Sequence, residues 1–168
     1  MDVRDADETH LPEILAIYND VMATSTAIFS DQPSTLDERT GWFRARRAQG
    51  YPVLVAVEGE RVLGYASFGD FRSWPGYRHT VEHSVHVAAD AAAPHVGAAL
   101  MARLIPRAAA LGKHVMVAGI DASNEASIRF HERLGFERVG LLRQVGCKFG
   151  RWLDLAFLQR QLGTGEPR

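Results

Sequence analysis

EHSVHV (82–87), followed ten residues later by Gly97 and then by NEASIRFHERLGF (124–136), is the stretch on which the fold turns. HTVEHSVHV (79–87) alternates β-branched and polar residues and reads as a strand. Beyond it, Val96, Leu100, Leu104, Ala108 and Leu111 recur at helical spacing, with Pro106 removing one backbone donor inside the run. HVMVAGI (114–120) reads as a second strand, and Asn124 to Leu134 as a helix stopped by Gly135. Gly97 at the first helix's start has a plain reading, relief of crowding. A second reading is that the unpaired N–H groups there suit a pyrophosphate-bearing ligand, provided the preceding loop exposes its backbone.

Working outward, Val3 to Asp5 forms a short strand. Thr9 is expected to cap a helix carrying Leu11, Ile14, Leu15, Tyr18, Val21 and Met22 on one face. TSTAIFSDQP (24–33) has no period and reads as a loop. Thr35 with Glu38 makes a capping box for a helix toward Ala48. YPVLVAV (51–57), EGER (58–61) and VLGYASF (62–68) read as a hairpin, and two closing strands are expected near 137–149 and 152–160. Strands and helices alternating around one mostly antiparallel sheet make an α/β or α+β domain. A single domain over 1–162 is expected, with a frayed, disordered tail at 163–168.

The 168 residues are 46% apolar and 23% charged, with 19 Lys and Arg against 20 acids and a net charge of −1. That balance leaves no basic footprint for nucleic acid and none for a membrane surface. No apolar run spans a bilayer, and the start MDVRDADETH lacks the basic and apolar segments of a signal peptide. The single cysteine, Cys147, fits a reducing cytoplasm and is expected to be a buried, inert thiol.

Alternation along 79–87 puts His79, Val81, His83, Val85 and Val87 on one face, and Thr80, Glu82, Ser84 and His86 on the other. The polar row is either a solvated sheet face or a cleft in which Glu82, as general base, strips an ammonium directly or through water. A metal site at His79, His83 and His86 is excluded by geometry. Positions 79 and 83 lie roughly 13 Å apart on a strand, and 86 faces the opposite way. Positions 124, 127, 128 and 131 share a helix face. Asn124 is an N-cap or a ligand-holding amide. His131, about 10 Å further along the axis, is a structural imidazole or a proton donor.

The blocks IYNDV (17–21), TSTAIF (24–29), GYASFGDFR (64–72), YRHTVEHSVHV (77–87), HVMVAGIDASNEASIRFHERLGF (114–136) and GCKFGRWLD (146–154) resemble the GCN5-related N-acetyltransferase superfamily. More narrowly they look like its phosphinothricin and methionine sulfoximine acetyltransferase branch. The resemblance implies an acyl-CoA N-acyltransferase fold, a mixed, mostly antiparallel sheet splayed near 79–87 and flanked by helices. It implies acetyl transfer from acetyl-CoA to a primary amine by direct attack in a ternary complex, without a metal.

Carried over by position, Glu82 becomes the base and His131 stands where most relatives have Tyr, as the candidate acid. Backbone N–H groups of Val85, His86 and Val87 would polarise the thioester and hold the pantetheine arm. Ala93, Pro94, His95, Val96, Gly97 and Ala98 fall at the pyrophosphate, and Asn124 with Ser127 beside the coenzyme. Phe29, Arg72, Ser73, Trp74, Arg78, His83 and Ser84 join Glu82 around the amino-acid pocket, where a guanidinium would grip a carboxylate. The branch implies a homodimer and a detoxifying role.

The pyrophosphate loop departs from the family pattern of Arg or Gln, two variable residues, Gly, one variable residue, then Gly or Ala. Positions 92 to 97 read Ala92, Ala93, Pro94, His95, Val96, Gly97, and only the last agrees. Losing one or two charge-assisted hydrogen bonds of about 1.5–3 kcal/mol each would weaken binding about tenfold to several hundredfold. A naturally weak binder, a degenerate enzyme and a deliberately altered loop all fit. The intact Glu82 strand and Asn124 helix favour retained activity. Two rival functions stand beside amino-acid acetylation: transfer to another small amine or a peptide N-terminus, and a binding or sensing module without turnover.

Overall fold

The structure is a computed structural model that describes residues 1–91, 93–163 and 165–167. Ala92 of the pyrophosphate loop, and Thr164 and Arg168 of the expected tail, lie outside the described residues. In chain order the elements are β1 (Asp2–Asp5), α1 (Leu11–Thr24), α2 (Leu36–Ala48), β2 (Val53–Glu58), β3 (Arg61–Asp70) and β4 (Thr80–Val87). Then come α3 (Val96–Ala110), β5 (Val115–Asp121), α4 (Glu125–Arg133), β6 (Glu137–Lys148) and β7 (Arg151–Gln161). The seven strands form one mixed sheet ordered β1-β2-β3-β4-β5-β7-β6. The chain also divides into two compact units, Met1–Gly69 with Ser84–Leu104, and Asp70–His83 with Ile105–Arg168.

In the first unit, β2 pairs antiparallel with β1 and β3, with Asp2↔Val57 and Val53↔Ser67 in register. All of Val53–Val57 is buried, as a continuous apolar run demands when both faces of a strand are covered. Leu11, Ile14 and Ile17 of α1 and Phe43 of α2 pack with Val53, Val55, Val57, Val62 and Tyr65. Each such side chain contributes roughly 1.5–3 kcal/mol by leaving water. The capping box at Thr35 and Glu38 is present. The cap at Thr9 is not. Asp7 accepts from the Thr9 N–H and begins a 3-10 turn at Glu8–His10, so α1 starts one residue later than the Thr9 reading placed it. An aspartate here outcompetes the threonine because its carboxylate takes both the Thr9 amide and hydroxyl.

Gly64 on β3 marks a close crossing. A Cβ there would lie 2.8 Å from the His86 carbonyl oxygen and 3.1 and 3.3 Å from Val96 and Leu100 side-chain carbons. Only glycine lets the start of α3 come down against the strands at this point.

In the second unit, β5 pairs antiparallel with β7 from Val115↔Gln161 to Asp121↔Leu155, and β7 pairs with β6. β4 runs parallel to β5 through Thr80↔Val115, Val81↔Met116 and Glu82↔Val117, where the register ends. α3 continues through Pro106 to Ala110. Gly135, with φ +84°, ends α4 in the left-handed conformation. β6 is an edge strand with its first nine residues exposed. Cys147 is exposed too, against the expectation of a buried thiol. Gly146 and Lys148 on either side of it are buried, so alternation turns the thiol outward.

Candidate active site

Glu82 sits half-buried on β4, and its carboxyl proton affinity is raised by burial, against the lowering pull of the Arg72 guanidinium. Its Oε1 faces Gly119 of β5, and the position a Gly119 Cβ would take is 3.0 Å from Oε1, 3.4 Å from Leu155 Cδ1 and 3.8 Å from Phe157 Cε1. Phe157 in turn meets Phe71 edge-on at 6.1 Å between ring centroids, and Phe71 meets Tyr77 at 5.8 Å. The Arg72 guanidinium lies over the Phe71 ring, 4.9 Å from its centroid. A carboxylate that holds its proton tightly, an aromatic wall and a guanidinium therefore occupy one neighbourhood. In its ionised form such a group is a stronger base toward an ammonium than a solvated glutamate is.

Arg72, Ser73, Trp74 and Arg78 all lie on the exposed segment after β3. Arg72 is the one of these whose charge acts on Glu82. Arg78 donates from Nη1 to the Pro75 carbonyl at 3.2 Å, and Trp74 is 74% exposed. Phe71, Tyr77, Gly119 and Phe157 escaped the sequence reading. Phe71 adjoins Arg72 in GDFR and was within reach of it. Phe157 and Gly119 come alongside Glu82 only through the order in which β4, β5 and β7 are laid into the sheet.

His83 and His131 form a pair. Their rings stack at 5.0 Å with an interplanar angle of 25°, and their Nε2 atoms are 3.1 Å apart. His131 Nδ1 lies 2.7 Å from the Ser127 carbonyl oxygen, and Phe136 packs edge-on to both rings. Burial lowers the proton affinity of His131, and the Ser127 carbonyl partly restores it. Asn124 is the N-cap of α4, its side-chain oxygen accepting from the Ser127 N–H at 3.1 Å. Among the described residues no three metal-ligating side chains are gathered together.

The remaining candidates belong to the first unit. Ala88 donates its N–H to the Leu63 carbonyl at 2.8 Å, and the His86 carbonyl faces Gly64. In an extended strand a residue's N–H and C=O point to the same side, and successive residues alternate. The main chain of His86 and Ala88 is thus turned toward β3, and the amides of Val85 and Val87 are turned away from it. Of the three expected donors, His86 is on the opposite side from the other two. The His86 ring packs on Tyr65 at 5.5 Å, and burial aided by Arg39 pushes its pKa down to about 4. Ser84 is half-buried, and Phe29 is 38% exposed in the loop after α1.

Ala93 and Pro94 precede His95, which has φ +63°, the left-handed region, and whose carbonyl accepts the N–H of Ala99 at 2.9 Å. Val96 is buried at the helix start, and Gly97 and Ala98 follow it within α3. His95 therefore holds a left-handed conformation with an L side chain, at the position where the family pattern places glycine.

The sequence pattern of the acetyltransferase (GNAT) family matches residues 14–136. An L-methionine sulfoximine/L-methionine sulfone acetyltransferase of Pseudomonas paraeruginosa is 54% identical over 161 residues, covering 95% of this chain and 94% of that one. A phosphinothricin N-acetyltransferase of Streptomyces coelicolor is 38% identical, covering 95% of each. The structure of a Salmonella typhimurium acetyltransferase with its cofactor acetyl-CoA superposes with a TM-score of 0.97 at 48% identity, over 100% of this chain and 97% of that one. Fold and sequence agree: the chain belongs to the acetyltransferase (GNAT) family.

Proposed function

We propose that this chain transfers the acetyl group of acetyl-CoA to the α-amine of a small amino-acid-like substrate of the methionine sulfoximine, methionine sulfone or phosphinothricin type. The observation that carries this reading is the Glu82 carboxylate beside Arg72 and the Phe71–Phe157 wall. Acetyl-CoA supplies the thioester when bound. Glu82 takes one proton from the substrate ammonium, the freed amine forms a C–N bond with the carbonyl carbon as the C–S bond breaks, and the second proton that the nitrogen sheds on becoming an amide passes to water. The N–H groups of Val85 and Val87, turned away from β3, donate to the developing oxyanion. The departing thiolate is reprotonated from the His83–His131 pair. Arg72 grips the substrate carboxylate, and the aromatic wall receives an apolar side chain.

We assign both units to one acetyltransferase domain acting in the cytoplasm as a homodimer, without nucleic acid or membrane partners. The exposed apolar side chains of β6 and its turn, Val139, Leu141, Leu142, Val145 and Phe149, with Trp152 of β7, support a second copy as their cover. The pyrophosphate loop, with Pro94 lacking an N–H, keeps a weakened or non-catalytic binder as the rival. A thiol-release assay over L-methionine sulfone, L-methionine sulfoximine, phosphinothricin and carboxylate-free amines separates them. Turnover confined to the amino acids is expected. Equal turnover of the simple amines contradicts the substrate class, and no turnover with any of them contradicts the enzyme.

A further inference from the structure

Glycine inside a strand weakens it, and its presence there usually answers either a backbone conformation or a close approach. Gly119 lies in the middle of β5, paired with Phe157 of β7. It is absent from the glycines with positive φ, which are Gly50, Gly59, Gly112, Gly135 and Gly150. Its backbone would suit any residue. What a side chain here would do is crowd the carboxylate: a Cβ would stand 3.0 Å from Oε1 of Glu82, which must then give way, while Leu155 Cδ1 at 3.4 Å is in ordinary contact. Gly119 is also exposed among buried neighbours, Ala118 at 2% and Ile120 at 7%, so the strand opens to solvent at the point where the carboxylate lies.

We propose that Gly119 is a positioning residue for Glu82: the missing side chain lets the carboxylate reach across β5 and keeps one edge of it open to the ammonium that gives up its proton. This rests on the reading of Glu82 as the base. A methyl group here displaces Oε1 by a few tenths of an ångström and covers its open edge. Displacement uses up most of the positional tolerance for proton transfer, which is of order 0.5 Å. Covering it removes water from the charged form and raises its proton affinity further. Arg72 is the charged group that acts on Glu82.

The experiment compares Gly119→Ala, Gly119→Val and Glu82→Gln with the parent. It reads kcat for L-methionine sulfone against pH, acetyl-CoA affinity by calorimetry, and the unfolding temperature. The alanine variant is expected to lose about tenfold in kcat and the valine variant more. The acid limb of the alanine profile should move to higher pH. Acetyl-CoA affinity should stay within twofold, and the unfolding temperature should hold or rise because either replacement weakens a strand less than glycine does. Stability and activity moving in opposite directions is what a merely structural glycine cannot produce. A Gly119→Ala enzyme with parental kcat and acid limb overturns the assignment, as does loss of activity together with acetyl-CoA affinity and unfolding temperature. If Glu82→Gln is inactive while Gly119→Ala is parental, only the role of Gly119 fails. If Glu82→Gln is itself parental, the base is elsewhere.

Discussion

Nε2 of His131 lies 3.1 Å from Nε2 of His83, and Nδ1 of His131 lies 2.7 Å from the Ser127 carbonyl oxygen. A carbonyl only accepts, so the proton of neutral His131 is on Nδ1 and its Nε2 is a lone pair. The bond between the rings then requires the proton of His83 on Nε2. Nitrogen NMR of the labelled protein should find these two opposite tautomers. Two identical tautomers contradict the pairing.

Two imidazoles in contact titrate as one unit, because a second charge would face the first across 3.1 Å. His131 alone is poorly placed to give up a proton, with both nitrogens engaged and only 4% of its surface exposed. The pair must be protonated to quench a thiolate, so the rate falls as pH rises through its apparent pKa. Burial, which lowers the proton affinity of His131, brings that limb to lower pH. Replacing either ring by Phe should remove the basic limb from the kcat profile and lower kcat about tenfold or more. An unchanged basic limb in both variants rules the pair out as the acid.

Burial raises the Glu82 proton affinity while Arg72 lowers it. The base works deprotonated, so activity should grow as pH rises through a value above that of an ordinary glutamate. The same shift means that Glu82 lends stability in acid, lost as pH rises through its folded pKa. Arg72→Ala should move the acid limb to still higher pH and raise KM for amino acids about tenfold or more, leaving KM for simple amines unchanged. A KM rise common to both substrate classes removes Arg72 from the carboxylate site.

His86, held down to about 4 by burial, takes up its proton in the unfolded chain near 6.5 but not in the folded one. The unfolded state therefore binds more protons between those values, and stability falls as pH drops through that window. The loss is of order 2–3 kcal/mol. Denaturant titrations at pH 7 and pH 4.5 should show a smaller difference for His86→Gln than for the parent.

His95 carries an L side chain at φ +63°, a conformation that costs about 1 kcal/mol and that glycine adopts freely. His95→Gly should raise the unfolding temperature by a few degrees and tighten acetyl-CoA binding, both read on one purified protein. A fall in both would mean that the imidazole is itself part of the site.

The strands and helices were legible because their signals are local. The Thr35–Glu38 box, the polar turn at 58–61 and Gly135 each act within a few residues. Within the candidate site, parity put Glu82 in a polar row open to two readings, and the family pattern singled out both it and Arg72. Gly119 and Phe157 were not legible, because their nearness to Glu82 depends on β7 lying beside β5, and nothing in one strand records its neighbour. Cys147 was misread for the same reason: exposure on an edge strand is a property of the sheet order. The Asp7 cap was a local contest between two good cappers two residues apart.

The most direct measurement is turnover of L-methionine sulfone by Glu82→Gln, with acetyl-CoA affinity determined by calorimetry on the same sample. Removing the base should lower kcat by roughly a hundredfold or more while affinity stays within twofold of the parent. Parental turnover by Glu82→Gln contradicts the account.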